Sequence, residues 1–300
     1  MGDILEETRY LMKKYKIRAN KSLGQNFLIN SEVVEKIVNC SEITNEDMVI
    51  EIGPGLGTLT KYLLDKAGKV LCVELDSKMI NILEDRFSIY DNFEIINADV
   101  LKLNLNDIIS ENKKQGKIKN VKVVANLPYY ITTPIIMKLL EEKLDIKSIT
   151  VMIQKEVADR LIETPGGKNT GAITYTVYYY CDSEKIMEVP NSSFIPEPEV
   201  TSEVIKLNLR DNPAVDIDNP KVMFMIIKSA FMQRRKTLLN ALTNTNVFFN
   251  KEEGLEILKQ LNLNENVRAE ELSIKDFADI AGVITEKKNL NMDKERNRIK

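Results

Sequence analysis

Between about residue 48 and residue 154, short β-branched apolar runs alternate with longer stretches whose apolar residues recur at helical spacing. Met48–Ile52, Val70–Leu75, Phe93–Ile96, Val121–Ala125 and Ile149–Ile153 are continuous enough to be strands covered on both faces. Between most of them lie helical stripes: Leu59, Leu63 and Leu64; Met79, Ile80 and Leu83; Ile135, Ile136, Leu139 and Leu140. Strands alternating with amphipathic helices are βα units, so the pattern predicts an α/β fold with a doubly wound, mostly parallel sheet.

Two further runs, Lys185–Val189 and Val200–Leu209, read as strands separated by the proline-punctuated loop Pro190–Pro198. The stretch Thr170–Cys181 is rich in Thr, Val and Tyr and favours a strand on propensity. Residues 1–209 are therefore expected to form the α/β domain. Residues 210–220, with two prolines and no periodicity, are the expected linker, and 221–285, helical in pattern throughout, the smaller all-α C-terminal domain. The span 286–300 has few large apolar residues and is expected to be a mobile tail.

Composition narrows the chemistry. The chain has 300 residues, 43% hydrophobic and 29% charged, with 42 Lys+Arg against 45 Asp+Glu and a net charge of −3. That balance alone argues against a nucleic-acid binder, but phosphate contacts depend on local patches. No histidine is present, which removes Ser-His-Asp, Cys-His and His-zinc chemistry. Cys40, Cys72 and Cys181 are scattered without metal-ligand spacing, so no metal is expected. The N-terminus shows no apolar leader and no run approaches a membrane span, so a reducing cytoplasm is the expectation.

After the first strand, Gly53-Pro-Gly55-Leu-Gly57 places three glycines ahead of a helix, where a backbone can approach a ligand closely. A tight turn alone would look the same. The spacing is G-x-G-x-G and not the dinucleotide G-x-G-x-x-G, which disfavours a nicotinamide dehydrogenase. Glu74, at the end of the second strand, stands where a carboxylate accepts both hydroxyls of a ribose. Asp99, after the third, is placed to accept from an adenine amine.

The fourth strand runs into Asn126-Leu127-Pro128-Tyr129. An exocyclic adenine amine is a poor nucleophile because its lone pair is delocalised into the ring. The Asn126 side-chain carbonyl and the Leu127 backbone carbonyl can each accept one of its hydrogens, Pro128 fixing the turn and Tyr129 stacking on the base. The nitrogen then points its lone pair at a methyl donor. Its proton becomes acidic only once the new bond forms, so no strong base is needed.

These four strand ends resemble the motifs of class I S-adenosyl-L-methionine-dependent methyltransferases, a Rossmann-like fold. More narrowly, the chain resembles the bacterial type of the ribosomal RNA adenine N6-dimethyltransferase family. Further matches are Lys21–Leu28, Gln154–Leu161, Phe194–Ser202, Ala230–Asn240 and Arg268–Leu272. The resemblance implies two methyl transfers to each of two adjacent adenosines in the 3′-terminal hairpin of 16S rRNA, with S-adenosyl-L-homocysteine as product and a monomeric enzyme acting on the small ribosomal subunit or its precursor. It implicates Gln25, Asn26, Leu28, Gly53, Gly55, Gly57, Glu74, Leu75, Asp99, Val100 and Asn126 in holding the donor. Phe194 would form the second face of an aromatic clamp opposite Tyr129, and residues 170–181 would be helical, against propensity. The pattern departs from the family at Leu23 and Thr170.

The acidic total conceals two acid-free basic clusters. One contains Lys13, Lys14, Lys16, Arg18 and Lys21, the other Arg234, Arg235 and Lys236; flanking a base-modifying site, both are expected to hold RNA phosphates. Two related readings stay open: a macrolide-resistance methyltransferase of 23S rRNA, and a non-catalytic ribosome-assembly factor of the same fold.

Overall fold

The computed structural model describes residues 3–20, 23–167, 169–248 and 250–298, with side chains through residue 287 in the last helix. Lys21, one of the expected phosphate ligands, lies outside the described residues. The chain divides into two units. One holds the chain up to Ala158 together with Asp182–Leu209; the other holds Asp159–Cys181 together with the chain from Arg210 on.

The first unit opens with α1 (Ile4–Lys14), capped by the Asp3 carboxylate, then β1 (Phe27–Leu28) and α2 (Ser31–Cys40). Its sheet strands are β2 (Asp47–Ile52), β3 (Lys69–Glu74), β4 (Phe93–Asn97), β5 (Asn120–Asn126), β6 (Ser148–Gln154), β7 (Cys181–Val189) and β9 (Ser202–Leu209). Helices α3 (Thr58–Leu64), α4 (Ser77–Phe87), α5 (Leu105–Lys114) and α6 (Thr132–Glu141) follow β2 to β5 in turn, and α7 (Lys155–Ile162) follows β6. The strand order is β4-β3-β2-β5-β6-β9-β7. Strands β2 to β6 are parallel and β9 runs antiparallel to β6, so the expected doubly wound, mostly parallel sheet is found. All five expected strands between 48 and 154 are present, although β3 ends at Glu74, one residue before Leu75.

The order of winding fixes the ligand edge. From β2 the chain moves outward through β3 and β4, then returns to place β5 on the other side of β2. The C-terminal ends of β2 and β5 therefore flank a topological switch point, where open α/β sheets leave a crevice. A second, two-stranded ribbon joins β1 to β8 (Phe194–Ile195), with Phe27 opposite Ile195 and Leu28 opposite Phe194.

The basic N-terminal arm is tied down. Ile4, Thr8 and Leu11 are buried. Lys14 and Tyr15 both reach Asp85, Lys14 at 2.9 Å. Glu7 pairs with Arg86 at 2.5 Å and with Lys61 at 3.3 Å. The Arg86 guanidinium also donates to the Leu56 carbonyl, tethering α1 to the glycine loop.

In the second unit, α8 (Ala172–Tyr180) overrides its own β propensity. Tyr175 is fully buried, its ring edge-on to Phe277 at 5.1 Å and its hydroxyl donating to the Leu272 carbonyl at 2.6 Å. Tyr179 meets Phe224 edge-to-face at 5.2 Å. Packing of large aromatics outweighs a propensity difference of a fraction of a kcal/mol per residue. The remaining helices are α9 (Pro220–Phe231), α10 (Leu238–Asn244), α11 (Lys251–Gln260) and α12 (Ile274–Arg298).

The two units divide the chain at other places than the expected boundaries. Residues 159–181 group with the helical unit, because the α8 aromatics are buried in its core. The 210–220 stretch is bound to the same helix, Arg210 N–H donating to the Tyr180 carbonyl and Ala214 N–H to that of Tyr179. The span 286–298, expected as a mobile tail, continues the α12 backbone helix, since its Lys, Glu, Arg and Leu residues favour that conformation. Among the described residues, no helix is long and apolar enough to cross a membrane.

Candidate active site

The strand ends enclose a cleft of about 1040 Å³, its open mouth included. Gln25, Asn26, Leu28, Gly53, Gly55, Glu74, Leu75, Asp99, Val100 and Asn126 all line it, as do Leu127, Pro128 and Tyr129. Segments far apart in sequence thus converge on one space: those that follow the parallel strands share the sheet's edge, and the 25–28 segment joins them from the β1 ribbon.

Glu74 is oriented by the backbone around it. Its Oε1 accepts the N–H groups of Leu75 (2.8 Å) and Asp76 (2.9 Å), and its Oε2 that of Gly55 at 3.3 Å. Burial pushes its carboxyl above the ordinary value, and these three N–H groups oppose the rise. Leu75 beside it is 52% exposed and offers a flat apolar surface to the cleft. Asp99 accepts the Leu101 N–H at 3.0 Å through Oδ1, while the exposed Lys102 lies 3.8 Å from Oδ2. Gln25 bridges the loop before β1 to the end of β3, accepting from Asn20 N–H at 2.8 Å and donating to Asp76 at 3.0 Å.

The Asn126 amide nitrogen donates to the Asn26 carbonyl at 3.3 Å, which leaves Oδ1 as the acceptor on this side chain. The next turn is held from several sides. Leu127 N–H bonds the Met152 carbonyl at 3.1 Å, and the Thr132 hydroxyl donates to the Pro128 carbonyl at 3.1 Å. The Tyr129 hydroxyl lies 2.6 Å from the Ser202 hydroxyl, and burial raises its phenol above the ordinary value.

Two expected site residues are placed elsewhere. Gly57 does not line the cleft; it is the N-cap of α3 at φ 80°, and a Cβ there would come within 2.8 Å of Leu83 Cδ2 and closer still to Phe87. Its role is to let α3 and α4 approach. Gly57→Ala is expected to destabilise the protein by roughly 2–4 kcal/mol, read as a lower denaturant midpoint, from left-handed strain plus overpacking. Phe194 is 1% exposed and packed in the apolar core with Leu28, so its ring does not line the cleft opposite Tyr129 as expected. Its backbone holds Leu28 instead.

Among the cleft residues to which the sequence reading assigned no role are Phe27, Tyr130 and Glu51. Phe27 covers Gly55, where a Cβ would lie 3.4 Å from the ring. Tyr130 stands at the rim. Glu51 lines the cleft although it is inside β2, and a lone acid in the apolar run Met48–Ile52 was the available signal. Its Oε2 accepts from the Thr60 hydroxyl at 2.6 Å and from the Cys72 thiol at 3.5 Å. Burial pushes its carboxyl from 4.5 to about 7. The folded state then holds this proton more tightly than the unfolded chain, so stability declines as pH rises through that window and levels off above it. Glu51→Gln has no proton to lose. Its stability relative to the parent should rise by roughly 1–3 kcal/mol between those two pH values, checked by denaturant melts at stepped pH.

Residues 16–286 match the family model described as ribosomal RNA adenine dimethylase. The chain is 46% identical over 280 residues to ribosomal RNA small subunit methyltransferase A of Clostridioides difficile (strain 630), covering 93% of this chain and 96% of that one. It is 48% identical over 272 residues to the protein of the same name from Alkaliphilus metalliredigens (strain QYMF), covering 91% and 94%. Among solved structures it is similar to a dimethyladenosine transferase from Plasmodium falciparum, with a TM-score of 0.71 at 28% identity, covering 87% of this chain and 98% of that one. The 23S rRNA methyltransferase ErmE shares the fold, with a TM-score of 0.65 at 21% identity, covering 87% and 100%. With the glycine loop, the two strand-end acids and the Asn126 turn around one cleft, and with a family match over nearly its whole length, the chain belongs to the ribosomal RNA adenine dimethylase family.

Proposed function

We propose that the protein dimethylates N6 of two adjacent adenosines in the 3′-terminal hairpin of 16S rRNA, acting as a cytoplasmic monomer on the small ribosomal subunit or its precursor. The observation that carries this reading is the Asn126 side chain, whose nitrogen is committed to the Asn26 carbonyl and whose Oδ1 is thereby an acceptor at the cleft. Relatives that the chain matches at 45–48% identity bear the small-subunit name.

The cleft fits S-adenosyl-L-methionine on its own chemistry. Glu74 would hold the ribose hydroxyls, Asp99 the adenine amine, Leu75 the face of the ring, and Gly53, Gly55 and the 25–28 segment the methionine end. When bound, the donor supplies a methyl group on a positively charged sulfur. Asn126 Oδ1 and the Leu127 carbonyl accept the two hydrogens of the target amine and turn its lone pair toward that methyl, while Tyr129 holds the plane of the base. Transfer would form the new N–C bond as the donor's C–S bond breaks, and the amine held by Asn126 and Leu127 would then release one proton to water. Positioning and fixed dipoles supply the rate.

Phosphate contacts are proposed for the basic residues, with different weights. Lys14 is paired with Asp85. Lys13 is exposed, and Lys16, Arg18 and Lys78 border a polar groove that shares Leu23 and Leu75 with the cofactor cleft. In the second unit, Arg234, Arg235 and Lys236 are all exposed, and Arg234 also donates to the Thr170 carbonyl at 3.1 Å. Replacing both Arg235 and Lys236 with Gln should weaken RNA binding and flatten the slope of log K against log salt by roughly one for each phosphate that is no longer neutralised. An unchanged slope removes them from the interface.

The function itself is tested by incubating the protein with radiolabelled donor and small subunits that lack the modification, then mapping methylated positions by primer extension. Two adjacent adenosines near the 3′ end are expected to carry label. Label confined to large-subunit RNA overturns the assignment.

A further inference from the structure

Two tyrosines follow Pro128, and the fold treats them in opposite ways. Tyr129 is half-buried with its hydroxyl on Ser202. Tyr130, the next residue of the same 3-10 turn (Tyr129–Ile131), is 54% exposed at the cleft rim. Its phenol makes no hydrogen bond among the described residues. One side of the ring rests against Gly24, where a Cβ would approach Tyr130 Cδ1 to 3.3 Å, so a residue without a side chain gives the ring its seat. The result is a supported aromatic surface, open to solvent, one residue beyond the base-holding turn. Leaving so large an apolar face in water is unfavourable, whereas a nucleobase covers such a face with a stacking gain that does not depend on base identity.

The proposed substrate gives this surface an occupant. When one of two adjacent adenosines is extruded into the cleft, its neighbour must lie outside the mouth, on the strand that leads in. We propose that Tyr130 is the stacking platform for the nucleotide flanking the target adenosine. The inference rests on the rRNA-dimethylation reading and assigns to that site a second substrate contact, separate from the pocket for the reacting base.

The test compares the parent protein, Tyr130→Ala and Tyr130→Phe on unmodified small subunits with labelled donor, and measures donor affinity of each by calorimetry. Tyr130→Ala is expected to raise KM for the subunit about tenfold, keep kcat at saturation within about twofold, and leave donor affinity unchanged; Tyr130→Phe should restore the parent KM. An unaltered KM in Tyr130→Ala overturns the proposal. So does a loss of donor affinity in step with KM, which would make the ring only a prop for the segment around Gly24, or a failure of Tyr130→Phe to restore KM. If the parent protein itself leaves small-subunit RNA unlabelled, it is the rRNA reading that fails, and the proposal with it.

Discussion

Asn126→Ala is expected to reduce methyl transfer by about a thousandfold or more, the scale seen when a preorganised polar group is removed from a reacting centre. Donor affinity should change little, because the donor's ribose and adenine are assigned to Glu74 and Asp99 on other strand ends. The structural basis is specific. Asn126 is the last residue of β5, its nitrogen is committed to the Asn26 carbonyl, and its oxygen is the group assigned to the target amine. Alanine removes that acceptor and the link to the segment before β1 together. Single-turnover transfer from labelled donor measures the first loss, and calorimetry with the donor alone measures the second. Near-normal transfer at saturating donor, alongside a donor affinity weakened about as much as expected for Glu74→Ala, would reverse the two roles.

Glu74→Ala should show the opposite order, weakening the donor about a hundredfold before any effect on the chemical step. Two charge-assisted hydrogen bonds to ribose hydroxyls account for that magnitude. The same carboxylate anchors the N–H groups of Gly55, Leu75 and Asp76, so alanine also loosens the loop. Glu74→Gln keeps one acceptor and should fall between parent and alanine. Because burial raises the Glu74 carboxyl above 4.5, donor affinity should begin to fall on acidification at a pH above that ordinary value. Titration calorimetry at stepped pH checks the direction, and the Glu74→Gln variant should lack the decline.

The parts of the site that were legible in the sequence are those set by local order. Runs such as Val70–Glu74 can only be buried strands, and residues that directly follow parallel strands must share an edge. Glu74, Asp99 and Asn126 therefore met as expected. What misled was context supplied from far along the chain. Gly57 looks like its two glycine neighbours, but its missing side chain accommodates Phe87, thirty residues later. Phe194 carries the family motif, yet its burial depends on the core around Leu28, which no spacing reveals. The tyrosines of α8 favour a strand until Phe224 and Phe277 surround them. In each case a distant packing partner decided the outcome, and local pattern holds no record of it.

The ribbon of β1 and β8 has a consequence for how the enzyme comes into being. Phe27 and Leu28 form part of the cleft wall, yet their strand partner is Ile195 and Phe194, separated from them by most of the sheet's sequence. Closing so long a loop adds little free energy beyond closing a shorter one, but contacts of such high sequence separation slow folding. On the ribosome, this wall cannot be completed until residues 194–195 have left the exit tunnel. A truncated or stalled chain that ends before residue 194 would thus carry all four strand-end motifs and still lack the strand partner of Phe27 and Leu28 in the cleft wall.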